Sequence, residues 1–224
     1  MMPSENSSLD IFVGARGSPL SQAQVWEVHR ELIQVHPHVR FHPIWVTTRG
    51  DQDKTTSLRL LDKTDFFTRE VDQRQLRGEF RIAIHSAKDL PDPLAAGLKV
   101  IALTQGVDSS DVLVYNQDPL PQTAVIGTSS LRREEILLTL NPHFQCVDIR
   151  GTIEERLALL DAGKVDGVVM AEAALIRLGL THRKRKKLPG ETAAFQGQLA
   201  IVALETDIVM RDLLTCLDTC ASSI

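Results

Sequence analysis

Apolar and polar positions alternate along this chain in blocks whose period keeps changing. Residues 9–15 (LDIFVGA), 40–48 (RFHPIWVTT) and 80–85 (FRIAIH) are short apolar runs that read as strands. Between the first two, Leu20, Val25, Val28 and Leu32 recur at roughly helical spacing within residues 18–36. Ser18 is placed to cap that helix and Pro19 suits its first position. Residues 49–57 (RGDQDKTTS) read as a polar loop, and 66–78 as a second helix ending near Gly78. The order is βαβαβ, which implies a largely parallel sheet with helices on both faces.

A second run of the same kind begins near Asp111. Strands are predicted at 111–115, 124–130, 144–152 and 165–171. Helices are predicted at 131–140, stopped by Asn141-Pro142, and at 153–163 and 172–179. Residues 198–205 form the last strand and 206–220 a closing helix. No fixed-period repeat or low-complexity linker interrupts the pattern. Two similar α/β lobes imply a cleft between them, where small ligands often sit.

Composition narrows the classes. The 224 residues are 43% hydrophobic and 24% charged, as in an ordinary globular protein. A net charge of −4 provides no global attraction to nucleic acid or an anionic membrane. No apolar run reaches membrane-spanning length. The opening MMPSENSSLD lacks the basic and apolar regions of a secretory signal and reads as a short tail. Cys146, Cys216 and Cys220 make no disulfide framework for a chain this long. A cytosolic protein is expected, with no metal site.

The chemistry gathers where strands give way to helices. Arg16 and Ser18 stand at one such junction, where a helix N-terminus attracts anions. Thr128, Ser129 and Ser130 precede Arg132 and Arg133 at a second. Arginines there oppose the helix dipole, a conflict that an anionic ligand would resolve; compensation by Glu134 and Glu135 is the plainer alternative. Arg150 and Gly151, with Arg156 six residues on, form a third junction, where Glu154 and Glu155 could instead pair with the arginines. Arginine suits bidentate recognition of carboxylate or phosphate, at about 1.5–3 kcal/mol per charge-assisted contact. Five arginines could therefore hold a ligand bearing several such groups.

A fourth stretch, RIAIHSAKDLPDPL (81–94), runs from a core strand straight into His85, Ser86, Lys88 and Asp89. Asp89 is the odd acid among cations. It could pair structurally, or it could handle a proton or a developing positive charge. His85 reads as a hydrogen-bonded histidine near the sheet. The basic run THRKRKKLPG (181–190) reads as a solvated loop, since no aromatic residues are interleaved with its charges.

With these motifs in place, the chain resembles the porphobilinogen deaminase (hydroxymethylbilane synthase) family. The resemblance rests on GARGSPLSQAQ, TTRGD, FFTREVD, IAIHSAKDLP, IGTSSLRR, RGTIEERL and a weaker FQGQLAI, in order from about Ile11 to Gln198. It implies a transferase of tetrapyrrole (haem) synthesis that joins four porphobilinogen molecules head to tail, each losing ammonia. It implies an α/β fold of two lobes like type II periplasmic binding proteins, with mostly parallel sheets and a central cleft. The first lobe would span 9–104 plus 203–224 and the second 105–202; the family's third, C-terminal domain would be absent. Asp89 would be the catalytic carboxylate, hydrogen-bonding pyrrole N–H groups and facing Arg132 or Arg150. Arg16, Arg132, Arg133, Arg150 and Arg156 would clamp carboxylates of substrate and cofactor, with Ser18, Ser86, Lys88, Thr128, Ser129 and Gly151 assisting.

The implied cofactor is a dipyrromethane, held in the family by a cysteine thioether in the third domain. Cys220 or Cys216, on one face of the closing helix, are the candidate anchors here. Cys146 reads as a buried core thiol. The partners implied are porphobilinogen and the growing pyrrole chain, with a monomer and no nucleic acid or membrane. Two further departures stand out. The family's Gly-rich, Lys-containing loop is replaced by LLDKTDFF, with Lys63 its one nearby lysine, and Phe195 and Val202 fall where the family has a glycine and an acid. The alternative functions are a catalytically impaired or non-catalytic binder of a pyrrole or other polycarboxylate, and a nucleic-acid module using residues 182–187.

Overall fold

A computed structural model describes residues 8–57, 59 and 64–219. Strand β1 (Leu9–Arg16) leads through α1 (Pro19–Val35) to β2 (Val39–Val46), its parallel neighbour in register from Leu9 and Val39 to Arg16 and Val46. Helices α2 (Arg49–Gln52) and α3 (Arg69–Leu76) precede β3 (Ile82–Ser86) and β4 (Leu98–Leu103). The chain then crosses to β5 (Asp111–Tyr115) and builds β6 (Val125–Gly127), α4 (Leu131–Leu140), β7 (Gln145–Val147) and α5 (Ile153–Asp161). β8 (Gly167–Ala171), α6 (Glu172–Arg177) and β9 (Arg185–Lys187) complete the second lobe. β10 (Leu199–Leu204) and α7 (Ile208–Leu214) return to the first.

The sheet orders are β2-β1-β3-β10-β4 and β7-β6-β8-β5-β9. In each, four strands run one way and one is reversed. The reversed strands are β10 and β5, the ones entered directly from the other lobe. Apolar clusters cover both faces of each sheet. Val25, Val28 and Leu32 of α1 pack with Ile11, Val13, Ile82 and Ile84 on one face of the first sheet. Val71 of α3 packs with Val46, Phe80, Ala83 and Val202 on the other. Ile82 and Ile84 thus point one way and Ala83 the other, which is the period of a strand.

The two crossings run side by side. Thr104 N–H donates to Leu199 O at 2.9 Å, and Ala87 N–H to Gln198 O at 3.0 Å. Gly197 has φ +89°, and a Cβ there would collide with the Asp108 carbonyl, so a glycine lets the segments touch.

Several expectations need correcting. All of β10 pairs with β3 and β4, so the return to the first lobe comes before Leu199, not at residue 203. The polar loop 49–57 contains α2, whose capping box joins Thr48 and Asp51. β4 and β9 were not foreseen; β9 turns part of the basic run into an edge strand. The helix expected at 66–78 is a 3-10 turn, Asp65–Phe67, followed by α3. The closing helix ends at Leu214, and Cys216 lies in a 3-10 turn, Thr215–Leu217, rather than on the helix. Cys220, Lys63 and most of the N-terminal tail lie outside the described residues. No helix among the described residues is long and apolar enough to cross a membrane.

Candidate active site

Parallel strands of both sheets end toward one another, and between them lies a cleft of about 1380 Å³. Eleven of the predicted site residues line it: Arg16, Ser18, Ser86, Lys88, Asp89, Ser129, Arg132, Arg133, Arg150, Gly151 and Arg156. Thr128 alone of the set does not. It is fully buried, its hydroxyl accepting from Ser130 N–H at 3.3 Å, so it shapes the β6–α4 turn from within.

In the first lobe, Ser18 caps α1 by accepting from Ser21 N–H at 3.3 Å. Gln24, on the buried side of α1, donates to Ser86 Oγ at 2.7 Å. Arg16 ends β1 with its guanidinium over the Phe67 ring, 4.4 Å from the centroid. Its Nε donates to Asp51 at 3.0 Å, and Nη2 makes a second bond to the same oxygen. Burial pushes the Asp51 carboxyl up, but the Arg16 bond and charge outweigh it and hold the group below its usual range.

In the second lobe, Arg132 and Arg133 start α4 as foreseen, but their compensating acid is neither Glu134 nor Glu135. It is Asp111, the first residue of β5, whose side chain is 2% exposed. Glu134 pairs instead with Arg59 at 2.6 Å. Asp111 is also bonded by Gln196 Nε2 at 3.0 Å, and Gln196 Oε1 accepts from Lys88 Nζ at 3.1 Å and Arg133 at 3.4 Å. Gln196, on the returning crossover, therefore ties the Lys88 turn of one lobe to the arginine pair of the other.

Arg150 reaches across the cleft, its Nη2 donating to Asp53 O at 2.7 Å and Gly50 O at 3.3 Å. Its buried Nε has no hydrogen-bond partner among the described residues, and burial lowers its pKa. Arg156 Nε donates to Gly151 O at 3.0 Å, and Gly151 has φ +105°, a conformation that favours glycine. Burial, then repulsion from Arg133 and Arg150, brings Arg156 down to about 10. Glu155 pairs with Lys54 rather than with either arginine. Ser129 Oγ donates to Ile149 O.

Beyond β3 the chain turns through a 3-10 segment, Ala87–Asp89. Burial, then the Arg133 charge, lowers Lys88 to about 8. Asp89 is exposed in the cleft and has no hydrogen bond or ion pair among the described residues. Lys88 and Arg156 feel its charge, and Arg132 and Arg150 line the same cleft. His85 behind it is buried, and its Nε2 has no hydrogen-bond partner, contrary to expectation; burial, then Arg16, lowers it to about 4, so it is neutral at pH 7.

Contacts between lobes were invisible in sequence. Lys54 meets Glu155, Ser57 donates to Asp148 at 2.5 Å, and Arg177 of α6 forms a buried two-bond pair with Glu27 of α1 at 2.7 and 2.8 Å. Neither Cys146 nor Cys216 lines the cleft. Cys146 is half-buried in β7 and Cys216 is exposed. Val202, at the family's acidic position, is buried in an apolar cluster where a carboxylate would be costly.

Fold and site together define a two-lobed α/β protein with cations from both lobes converging on its cleft. The same architecture occurs in the probable amino-acid ABC transporter extracellular-binding protein ytmK of Bacillus subtilis, with TM-score 0.53, 13% identity and coverage of 94% of this chain and 91% of that one. Residues 11–212 match the family model "Porphobilinogen deaminase, dipyromethane cofactor binding domain". The chain is 42% identical to a probable porphobilinogen deaminase of Chlamydia pneumoniae over 85% of this chain and 82% of that one. It is 38% identical to porphobilinogen deaminase of a Nostoc species, over 85% of this chain and 62% of the other. The chain belongs to the porphobilinogen deaminase family.

The matched domain binds a dipyrromethane, and the cleft's donors suit a carboxylate-bearing pyrrole chain. Arg150, Arg156 and Lys88 have no carboxylate partner among the described residues, and the orphaned Arg150 Nε offers a further donor. The thioether is a separate matter, since neither of the described cysteines, Cys146 and Cys216, lines the cleft.

Proposed function

We propose that this cleft joins porphobilinogen molecules into the linear tetrapyrrole hydroxymethylbilane, with loss of one ammonia per molecule. The observation that carries this reading is a carboxylate, Asp89, that has no partner among the described residues and stands near Lys88 and Arg156, which have no carboxylate partner among them either. Substrate acetate and propionate groups would fill the places open at Arg150, Arg156 and Lys88 and share Arg16, Arg132 and Arg133 with their internal acids. With the carboxylates so held, the pyrrole N–H points to Asp89. As the C–N bond of the protonated aminomethyl group breaks and its nitrogen leaves as ammonia, positive charge grows over the ring and the remaining methylene carbon, and Asp89 stabilises it from a fixed position. A bound dipyrromethane supplies the primer pyrrole. Lys88, at about 8 in the empty cleft, is charged at pH 7 and suited to hold a substrate carboxylate through its Nζ.

Incubating the purified chain with porphobilinogen, and assaying ammonia and the linear product, tests this reading. Saturable binding without ammonia release would favour the polycarboxylate-binding alternative. For the anchor, peptide mapping after expression with porphobilinogen available assigns any adduct to Cys216, Cys220 or Cys146. Full turnover with no adduct would mean that the primer is held by the arginines alone.

A further inference from the structure

The returning crossover puts into the cleft a residue that neither the arginines nor Asp89 accounts for. Phe195 lines the cleft and is 55% exposed. Its φ is +58°, the only positive φ outside glycine among the described residues. A bulky side chain is strained in that region. Strain of this kind persists where surrounding structure enforces it, and here the enforcement is visible. Phe195 sits in a tight turn closed by Gln196 N–H to Ala193 O and Gln198 N–H to Phe195 O, both 3.1 Å. Its neighbour Gln196 is locked to Lys88, Ser109 and Asp111. Glycine would relieve the strain and remove an exposed apolar ring at once, so the folded chain by itself gives no reason for phenylalanine.

The surroundings suggest what the ring does. Among the described residues only two aromatic rings line the cleft, Phe67 and Phe195. Phe67 already lies under the Arg16 guanidinium. Phe195 is therefore the aromatic ring left open. The arginines and Lys88 recognise carboxylates, and nothing about a guanidinium distinguishes a pyrrole from an aliphatic polycarboxylate of similar spacing. A flat apolar face beside that charge cluster would make the distinction by stacking.

Building on the function proposed above, we infer that Phe195 is a specificity-determining residue that stacks on a pyrrole ring whose carboxylates the arginines hold. The test uses the full chain, isothermal titration with porphobilinogen and with tricarballylate, a ring-free tricarboxylate, and thermal melting without ligand. Phe195→Gly is expected to weaken porphobilinogen binding about tenfold. It should leave tricarballylate binding unchanged and raise the melting temperature by about 2–4 °C as the strained φ is relieved. Phe195→Tyr keeps a ring and should bind porphobilinogen within about twofold of the parent. Unchanged porphobilinogen affinity in Phe195→Gly would overturn the inference. An equal loss for both ligands would overturn it too, because the residue would then be shaping the turn rather than meeting the ring. A parent chain that binds tricarballylate but not porphobilinogen would overturn the proposed substrate, and the stacking role with it.

Discussion

Asp111→Asn separates what holds the arginine pair in the free protein from what it does with a ligand. The Asp111 carboxylate, 2% exposed, receives four bonds: Arg133 at 2.9 and 2.6 Å, Arg132 at 2.5 Å and Gln196 at 3.0 Å. Asparagine keeps the shape but removes the charge and one oxygen acceptor, leaving Arg133 largely buried without a counter-charge. Breaking a buried pair costs about 3–5 kcal/mol, and solvent around the more open Arg132 argues for the lower end, about 3 kcal/mol. In a chain of this size each kcal/mol moves the melting temperature by about 2–4 °C, so a fall of about 6–12 °C is expected. Melting is then repeated with saturating porphobilinogen. A bound carboxylate should take over part of the missing charge, so the ligand should raise the variant's melting temperature more than the parent's. A fall of less than about 2 °C, or the same ligand-induced rise in both proteins, would refute the coupling of Asp111 and ligand through these arginines.

Other expectations are shorter. Arg156→Met should weaken porphobilinogen binding about 10- to 100-fold by titration, since one charge-assisted contact is lost. The same change removes a half-buried cation repelled by Arg133 and Arg150, so melting without ligand should show no loss of stability. Lys88, at about 8 in the free protein, should gain a higher pKa beside a bound carboxylate. Affinity should then be level at low pH and fall as pH rises through about 8, by up to about tenfold per unit, a slope that Lys88→Met abolishes. Without ligand the sign is opposite. Between about 8 and the ordinary lysine value of 10.5 the unfolded chain binds more protons, so this group adds stability as pH rises, which chemical denaturation across that window would measure.

Much of the site was legible because its residues follow strands. A strand end followed by a helix start puts Arg16, Arg132, Arg133 and Arg150 near backbone N–H groups whatever the wider fold, and eleven of twelve proposed residues do reach the cleft. What was not legible depends on distant pairing. Asp111 reads in sequence as the polar edge of DVLVY; only the fold brings Arg132 and Arg133, over twenty residues away, onto it. Gln196 and Arg59 likewise gain meaning only across the cleft. β9 was hidden because three basic residues carry no apolar period; it forms by pairing with β5, and its Arg185 is neutralised by Glu172. α2 is three polar residues and a glycine, held by a capping box. The reversed position of β10 followed from no local signal, since the pattern of LAIVAL is the same whichever sheet receives it.

The most direct measurement is ammonia release from porphobilinogen by the parent chain and by Asp89→Asn. Asp89 is exposed and unpaired among the described residues, so the substitution should move the melting temperature by no more than about 2 °C. The parent should release one ammonia per porphobilinogen consumed, and the variant's kcat should be lower by about 100-fold or more, as expected for removing a fixed charge that faces a developing one. A folded Asp89→Asn variant with near-parental turnover would contradict the role given to this carboxylate.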